Sequence, residues 1–222
     1  MADRMAVPKT ARGKVGRPPL ERAGEVEERI LDAAKTVFLA HGFEGASVDV
    51  IAQTARAGKP TIYARFPSKA ALFAAVIGRQ AANNTQYENL VPQGRTFRAR
   101  LVNLAVTLIE RAFADETIGL MRTAIAESPR FPDLTLEVQD SARQRATRNV
   151  GHVIAELARA EGLYGRGAFA AERIEETARI FIDLAVFSML FRALLGEDVR
   201  ALKKEAQTYV EERVDFFLAA ST

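Results

Sequence analysis

The sequence contains no cysteine. Disulfides, thiolate nucleophiles and thiolate metal sites are therefore all excluded. A reducing compartment is permitted, though absence of cysteine does not require one. Histidine is almost as scarce. His41 and His152 lie far apart in the chain, and no His/carboxylate set has the spacing of a metal site. Gly162, Gly165 and Gly167 follow no strand-like segment, so they do not form a phosphate-binding glycine loop. No serine sits on a nucleophile elbow. These absences argue against an enzyme and against a bound cofactor. Long hydrophobic runs are missing too. The most apolar stretch, 180–195, is interrupted by Asp183 and Arg192 and is shorter than the roughly 20 residues a bilayer demands. Residues 1–13 lack the apolar run of a signal peptide, so a cytoplasmic protein with no membrane partner is expected. Proline is sparse, with 8 in 222 residues.

Apolar residues make up 48% of the chain and charged residues 27%, the balance of a folded protein with a sizeable core. Ala, Leu, Glu, Arg and Ile dominate, which favours helix, and no segment shows strand periodicity. The class expected is all-α, with a basic tail over 1–24, a small helical unit over 25–80 and a helical bundle over 81–222. The net charge is only +3, but residues 1–24 hold six basic and two acidic residues. Between Asp49 and Glu88 there is no acid at all, while Arg56, Lys59, Arg65, Lys69 and Arg79 fall in that gap. A field of one sign on a short folded segment suits a polyanion. A solvated face with chance clustering is the alternative.

The tail has no periodicity and is expected to be disordered. Ile30, Leu31, Ala34, Val37 and Phe38 make one apolar stripe of a first helix over 25–41, with Gly42 as its terminator. Ser47 can cap a short second helix, 48–55. Residues 56–58 form a turn. A third helix follows over 59–66 with Pro60 in its first turn, and Pro67 ends it. Ser68 can cap a fourth, from Lys69 past Gln80. Further helices are expected near 95–114, 116–128, 133–161, 169–196 and 198–219.

Three short helices with a tight turn between the second and third suggest a helix-turn-helix, whose last helix enters the major groove by its N-terminal part. Ile62 and Phe66 would point inward. Lys59, Thr61 and Tyr63 would point outward, offering a cation, a hydroxyl and a phenol to base edges and phosphates. Pro60 adds an apolar surface for a thymine methyl. Arg65 lies a turn away, within reach of the DNA backbone. Lys69 stands beside a helix N-terminus, which is itself an anion site.

Three ordered runs make this more specific: Phe38-Leu39-Ala40-His41-Gly42-Phe43, Ala46-Ser47-Val48-Asp49-Val50-Ile51-Ala52, and Lys59 through Phe73. In order and spacing, over residues 27–76, they resemble the tetracycline-repressor (TetR/AcrR) family. The resemblance implies a dimeric regulator bound to a palindromic operator in double-stranded DNA. Lys59, Pro60, Thr61 and Tyr63 would face the operator, and Ser47, Arg65 and Lys69 would hold phosphates. Arg56 departs from the family, which usually has glycine in that turn. A positive φ there would cost about 1 kcal/mol in a non-glycine residue. In the tail, Gly16-Arg17-Pro18 resembles the core of a minor-groove hook.

Residues 81–222 carry 18 basic and 20 acidic residues, so this half is not basic. In the resembling family it binds a small effector and dimerises through its last two helices. Two apolar stripes suit that interface: Phe181, Leu184, Ser188 and Phe191 on one, Leu202, Tyr209, Val210 and Phe217 on the other. Candidates for an effector pocket are Leu104, Leu108, Leu120, Met121, Ile125 and Phe187, with Gln144, His152 or Arg122 as polar anchors. Core packing is the better explanation for each of them. Such a pocket would be mainly apolar and take a greasy or aromatic ligand. Thr123 through Leu134, which contains Ser128-Pro129-Arg130-Phe131-Pro132, resembles a stretch common in one branch of the family. The functional expectation is a ligand-released repressor. The alternative is a helical binding or scaffold protein with a vestigial helix-turn-helix.

Overall fold

The computed structural model describes residues 20–84 and 90–221. The basic tail, with its Gly16-Arg17-Pro18 element, lies outside the described residues apart from its last five positions. Among the described residues there are helices and no strands. The first helix, α1 (Leu20–Gly45), starts five residues before the predicted position, across the expected tail boundary. Gly42 breaks it at φ 66°, ψ −177°. A glycine adopts this conformation without steric cost, and the break turns Phe43 into the core, where it is 4% exposed.

Next come α2 (Val48–Ala55), α3 (Lys59–Tyr63) and α4 (Lys69–Asn84). The third helix is shorter than the predicted 59–66. The larger half is built from α5 (Phe97–Ala112), α6 (Asp115–Glu127), α7 (Pro132–Ala160), α8 (Ile174–Ile182), α9 (Ser188–Leu194) and α10 (Val199–Ser221). A single helix was expected over 169–196. Instead a 3₁₀ turn at Gly167–Phe169 precedes α8, and a π turn over Asp183–Phe187 joins α8 to α9. A π turn inserts one extra residue into the helical repeat, which shifts the apolar phase between α8 and α9.

Two hydrophobic cores result. The smaller gathers Ile30, Val37, Phe38, Phe43, Ile51, Ile62, Phe66 and Leu72, and it includes Leu120 from α6. Ala124 and Phe131 pack against it as well. The larger core collects Leu101, Leu104, Leu108, Ile154, Phe181, Met189 and the inward stripe of α10. Ile118 of α6 belongs to this larger core. The hydrophobic division therefore does not fall at residue 80, because α6 and the α6–α7 corner contribute to both units. Lys35 of α1 pairs with Glu116 of α6 at 2.8 Å, and Gln80 of α4 donates to the Thr117 hydroxyl at 3.4 Å.

Candidate nucleic-acid interface

The α2–α3 pair is fixed by local chemistry at each end. Ser47 is extended and its Oγ accepts a hydrogen bond from the Asp49 amide at 3.2 Å, capping α2. At the other end Arg56 is left-handed, φ 50° and ψ 44°, and its N–H donates to the carbonyls of Ala52 and Gln53. It is the one non-glycine residue with positive φ among the described residues. A left-handed turn is therefore formed here even though glycine is absent. Gly58 then caps α3 without a side chain, and Pro60 sits in the first turn. Ile62 is 1% exposed and Phe66 8%, so these two anchor the short helix to the core as the spacing predicts. The opposite face carries exposed Lys59 and Pro60, half-buried Thr61, and Tyr63 at 47% exposure.

The basic field counted from sequence is mostly neutralised by acids brought from elsewhere in the fold. Lys59 meets Asp49 at 2.5 Å, and that hydrogen bond raises the ammonium's pKa above its ordinary value. Arg79 lies against α1, donating to Glu28 at 2.7 Å and Asp32 at 2.8 Å. Arg65 donates to the Thr61 carbonyl at 3.4 Å and stands 3.9 Å from Glu27. Lys69 donates to the carbonyls of Ala46 at 3.1 Å and Glu44 at 3.3 Å, with its ammonium 4.6 Å from the centre of the Phe43 ring. It thus ties down the loop that leads to Ser47. The Ser68 hydroxyl accepts from the Ala71 amide at 3.0 Å, capping α4 as expected. The Arg56 side chain is exposed and has no ion pair among the described residues. Arg56 is thus tolerated in the turn, with its guanidinium placed where it could add a phosphate contact.

The expected effector pocket does not converge. Leu104 and Leu108 are packed in the larger core and Leu120 in the smaller. Met121 is half-buried, Gln144 and His152 are exposed, Ile125 is 55% exposed and Phe187 56%. Arg122 caps the end of α9, donating to the carbonyls of Ala193 at 2.7 Å and Leu194 at 3.1 Å. An open cavity of about 310 Å³ does lie between α4 and α7, lined by Ala74, Gly78, Ala81, Val138 and Ala142 with Glu137, Ser141 and Arg145. None of the expected pocket residues lines it.

The proposed interface stripes also need correction. Phe181, Leu202 and Val210 are 0% exposed and Phe217 4%, so all four are core of the single chain. Leu184 and Tyr209 are half-buried and joined by a hydrogen bond from the Tyr209 hydroxyl to the Leu184 carbonyl at 3.4 Å. Ser188 is exposed and Phe191 50% exposed. The α8–α9 rod carries two interleaved apolar stripes. The inward one is Phe181, Ala185, Met189 and Ala193. The outward one is Ile180, Phe187, Phe191 and Leu195, the last 73% exposed. Reading them as one mixed the two faces. Steps of seven, four and four residues along the outward set were the available signal. No described helix is long and apolar enough to cross a membrane.

Comparison with known proteins accords with this geometry. Residues 30–76 match the family described as bacterial regulatory proteins, tetR family. Residues 99–220 match the C-terminal domain of AefR-like transcriptional repressors. The HTH-type transcriptional repressor SCO4008 of Streptomyces coelicolor is 46% identical over 52 residues, 23% of this chain and 27% of that protein. The matched stretch thus spans about a quarter of that relative. A structure described as a TetR-family transcriptional regulator from Mesorhizobium loti superposes with a TM-score of 0.76 at 24% identity, covering 90% of this chain and 98% of that one. The flavonoid-responsive regulator FrrA superposes at 0.64 with 25% identity, covering 89% and 97%. From its N-terminal helix-turn-helix to its C-terminal bundle, the chain belongs to the TetR family of bacterial transcriptional regulators.

Proposed function

We propose that the protein is a homodimeric repressor that grips a palindromic operator through α2 and α3 and is released from it by a small apolar or aromatic effector. The observation that carries the DNA-reading part is the two-sidedness of α3. Ile62 is sealed into the core while Tyr63, beside Lys59 and Pro60, stands 47% exposed on the free face. A helix held by one side chain and offering a phenol, a cation and a proline ring on the other side suits base-edge and backbone contact. Thr61 completes that face. Ser47, Arg65 and Lys69 serve the phosphates, Lys69 exchanging a carbonyl partner to do so. Lys59 must likewise leave Asp49 to reach DNA.

Dimerisation through Ile180, Phe187, Phe191 and Leu195 supplies the two-fold symmetry that a palindrome mirrors. These side chains are already partly covered, so burying the remainder of each is worth roughly half of the 1.5–3 kcal/mol of full burial. An effector received in the larger half would act by preferring a conformation that misplaces the two α3 helices. FrrA, described as flavonoid-responsive, supports an aromatic effector class. Such a regulator works in the cytoplasm.

The test is selection of bound DNA from a random pool by the purified protein, at moderate and then higher salt. A dyad-symmetric site with fixed half-site spacing, lost in Tyr63→Ala, is the expected result. Sequence-blind binding that vanishes with salt would instead favour a helical binding protein with a vestigial helix-turn-helix.

A further inference from the structure

The sequence Ser128-Pro129-Arg130-Phe131-Pro132 joins α6 to α7 in the larger half, outside the stretch that matches the DNA-binding family. Its corner is held from both sides. The amides of Arg130 and Phe131 each donate to the Glu127 carbonyl at 3.0 Å. The Phe131 carbonyl accepts from the amide of Thr135 at 3.0 Å and from its hydroxyl at 2.9 Å. Pro132 starts α7 with its φ already set. The corner is therefore a fixed presentation of two side chains, and both reach the DNA-reading unit.

The Phe131 ring meets the Phe43 ring edge-on, centroids 5.2 Å apart at 67°. Arg130 forms an ion pair with Glu44. Phe43 is the residue that the Gly42 break turns inward, and it packs on Phe38 and Phe73. On the Phe43 ring lies the Lys69 ammonium, which also holds the carbonyls of Glu44 and Ala46. The next residue, Ser47, caps α2. Residues 43–46 are thus gripped by Lys69 from α4 and by Phe131 and Arg130 from the corner. The attitude of α2, and of α3 four residues beyond it, is set at this point.

We propose that Phe131 and Arg130 are positioning residues of the DNA-reading unit, supplied by the regulatory half, and that they fix the α1–α2 loop and thereby the angle at which α2 and α3 are offered to DNA. The inference rests on the reading of α2 and α3 as the DNA-contacting pair. It identifies the contact through which movement of α6 or α7 reaches the operator face, without either residue touching DNA.

The test uses the full-length protein and four variants: Phe131→Ala, Arg130→Glu, Glu44→Arg and the swap Arg130→Glu/Glu44→Arg. Amide exchange over residues 44–66 is followed by mass spectrometry, and affinity is measured for the DNA site that the wild type selects. Loss of an aromatic edge contact corresponds to about a two- to tenfold weaker operator affinity. Phe131→Ala should show that weakening and faster exchange confined to 44–66, with unchanged dimer mass. Arg130→Glu, a surface change that leaves the core intact, should shift both readouts in the same direction by a smaller factor. The charge swap should restore them, which a general loss of stability would not do. Wild-type exchange and affinity in both Phe131→Ala and Arg130→Glu would overturn the proposal. If the wild type selects no dyad site, the repressor reading fails on its own, and the exchange measurement still decides whether the corner fixes the loop.

Discussion

Arg56 offers a perturbation whose effects on stability and on DNA binding run in opposite directions. Its backbone is left-handed, and its amide nevertheless caps α2 through the Ala52 and Gln53 carbonyls. A side chain other than glycine in that region costs about 1–2 kcal/mol, because Cβ crowds the following carbonyl. Replacement by glycine removes the clash but frees the unfolded chain, which returns about 0.4–1 kcal/mol. The net expectation for Arg56→Gly is stabilisation by about 0.5–1 kcal/mol, or a Tm rise of about 1–4 °C for a chain of this length. Arg56→Ala keeps Cβ and so keeps the strain, and its Tm should match wild type. Both changes remove the same exposed guanidinium, which has no ion pair among the described residues. If each copy of Arg56 meets one phosphate, both variants should bind operator more weakly, with the salt slope of a dimer smaller by about 2. Thermal unfolding and operator titration at several salt concentrations measure the two effects separately. A lower Tm in Arg56→Gly would refute the strain argument. An unchanged salt slope in both variants would refute the phosphate contact.

Tyr63→Ala should weaken operator binding while leaving Tm within about 0.5 kcal/mol of wild type in stability, as for an exposed position; a large fall in Tm would mean that the ring is structural. Ile62→Ala, fully buried beside it, should cost about 2–5 kcal/mol, visible in urea unfolding; a cost below that range would mean that α3 is not anchored as described. Phe191→Asp puts a charge on the outward stripe of α8–α9 and should convert the dimer to monomer in sedimentation velocity; an unchanged mass would exclude this face as the interface. Arg192 donates to Glu197 at 2.5 and 2.8 Å and to Glu205 at 2.7 and 2.9 Å, and these bonds hold both carboxyls below their ordinary value of 4.5. A depressed folded-state pKa gives stability that is present above the unfolded value and lost as pH falls through the folded one. Stability should therefore fall as pH drops below 4.5, and Arg192→Met should show a shallower fall in unfolding experiments at pH 7, 4.5 and 3.5; an equal fall would show that the trio does not govern acid sensitivity.

The sequence by itself determined the fold class and the DNA-reading unit with its first four helices. The signals behind these are local. A 3.6-residue apolar period, a serine before α2, a proline inside α3 and a glycine after His41 each act within a few residues of themselves, so their meaning does not depend on distant chain. What sequence could not supply was which charges remain free. Arg79 and Lys59 count as basic in a linear reading, but α1 brings Glu28 and Asp32 to the first and α2 brings Asp49 to the second. Facing was the other gap. Phe181 and Phe191 differ only in phase on an apolar rod, and a π turn shifts that phase midway. Only the packing of α7, α5 and α10 against the rod decides which stripe is core. The same holds for Phe131, 88 residues from Phe43 in sequence and in ring contact with it in the fold. A contact between residues so far apart leaves no local periodicity to read, because it exists only once α6 and α7 are folded against the helix-turn-helix.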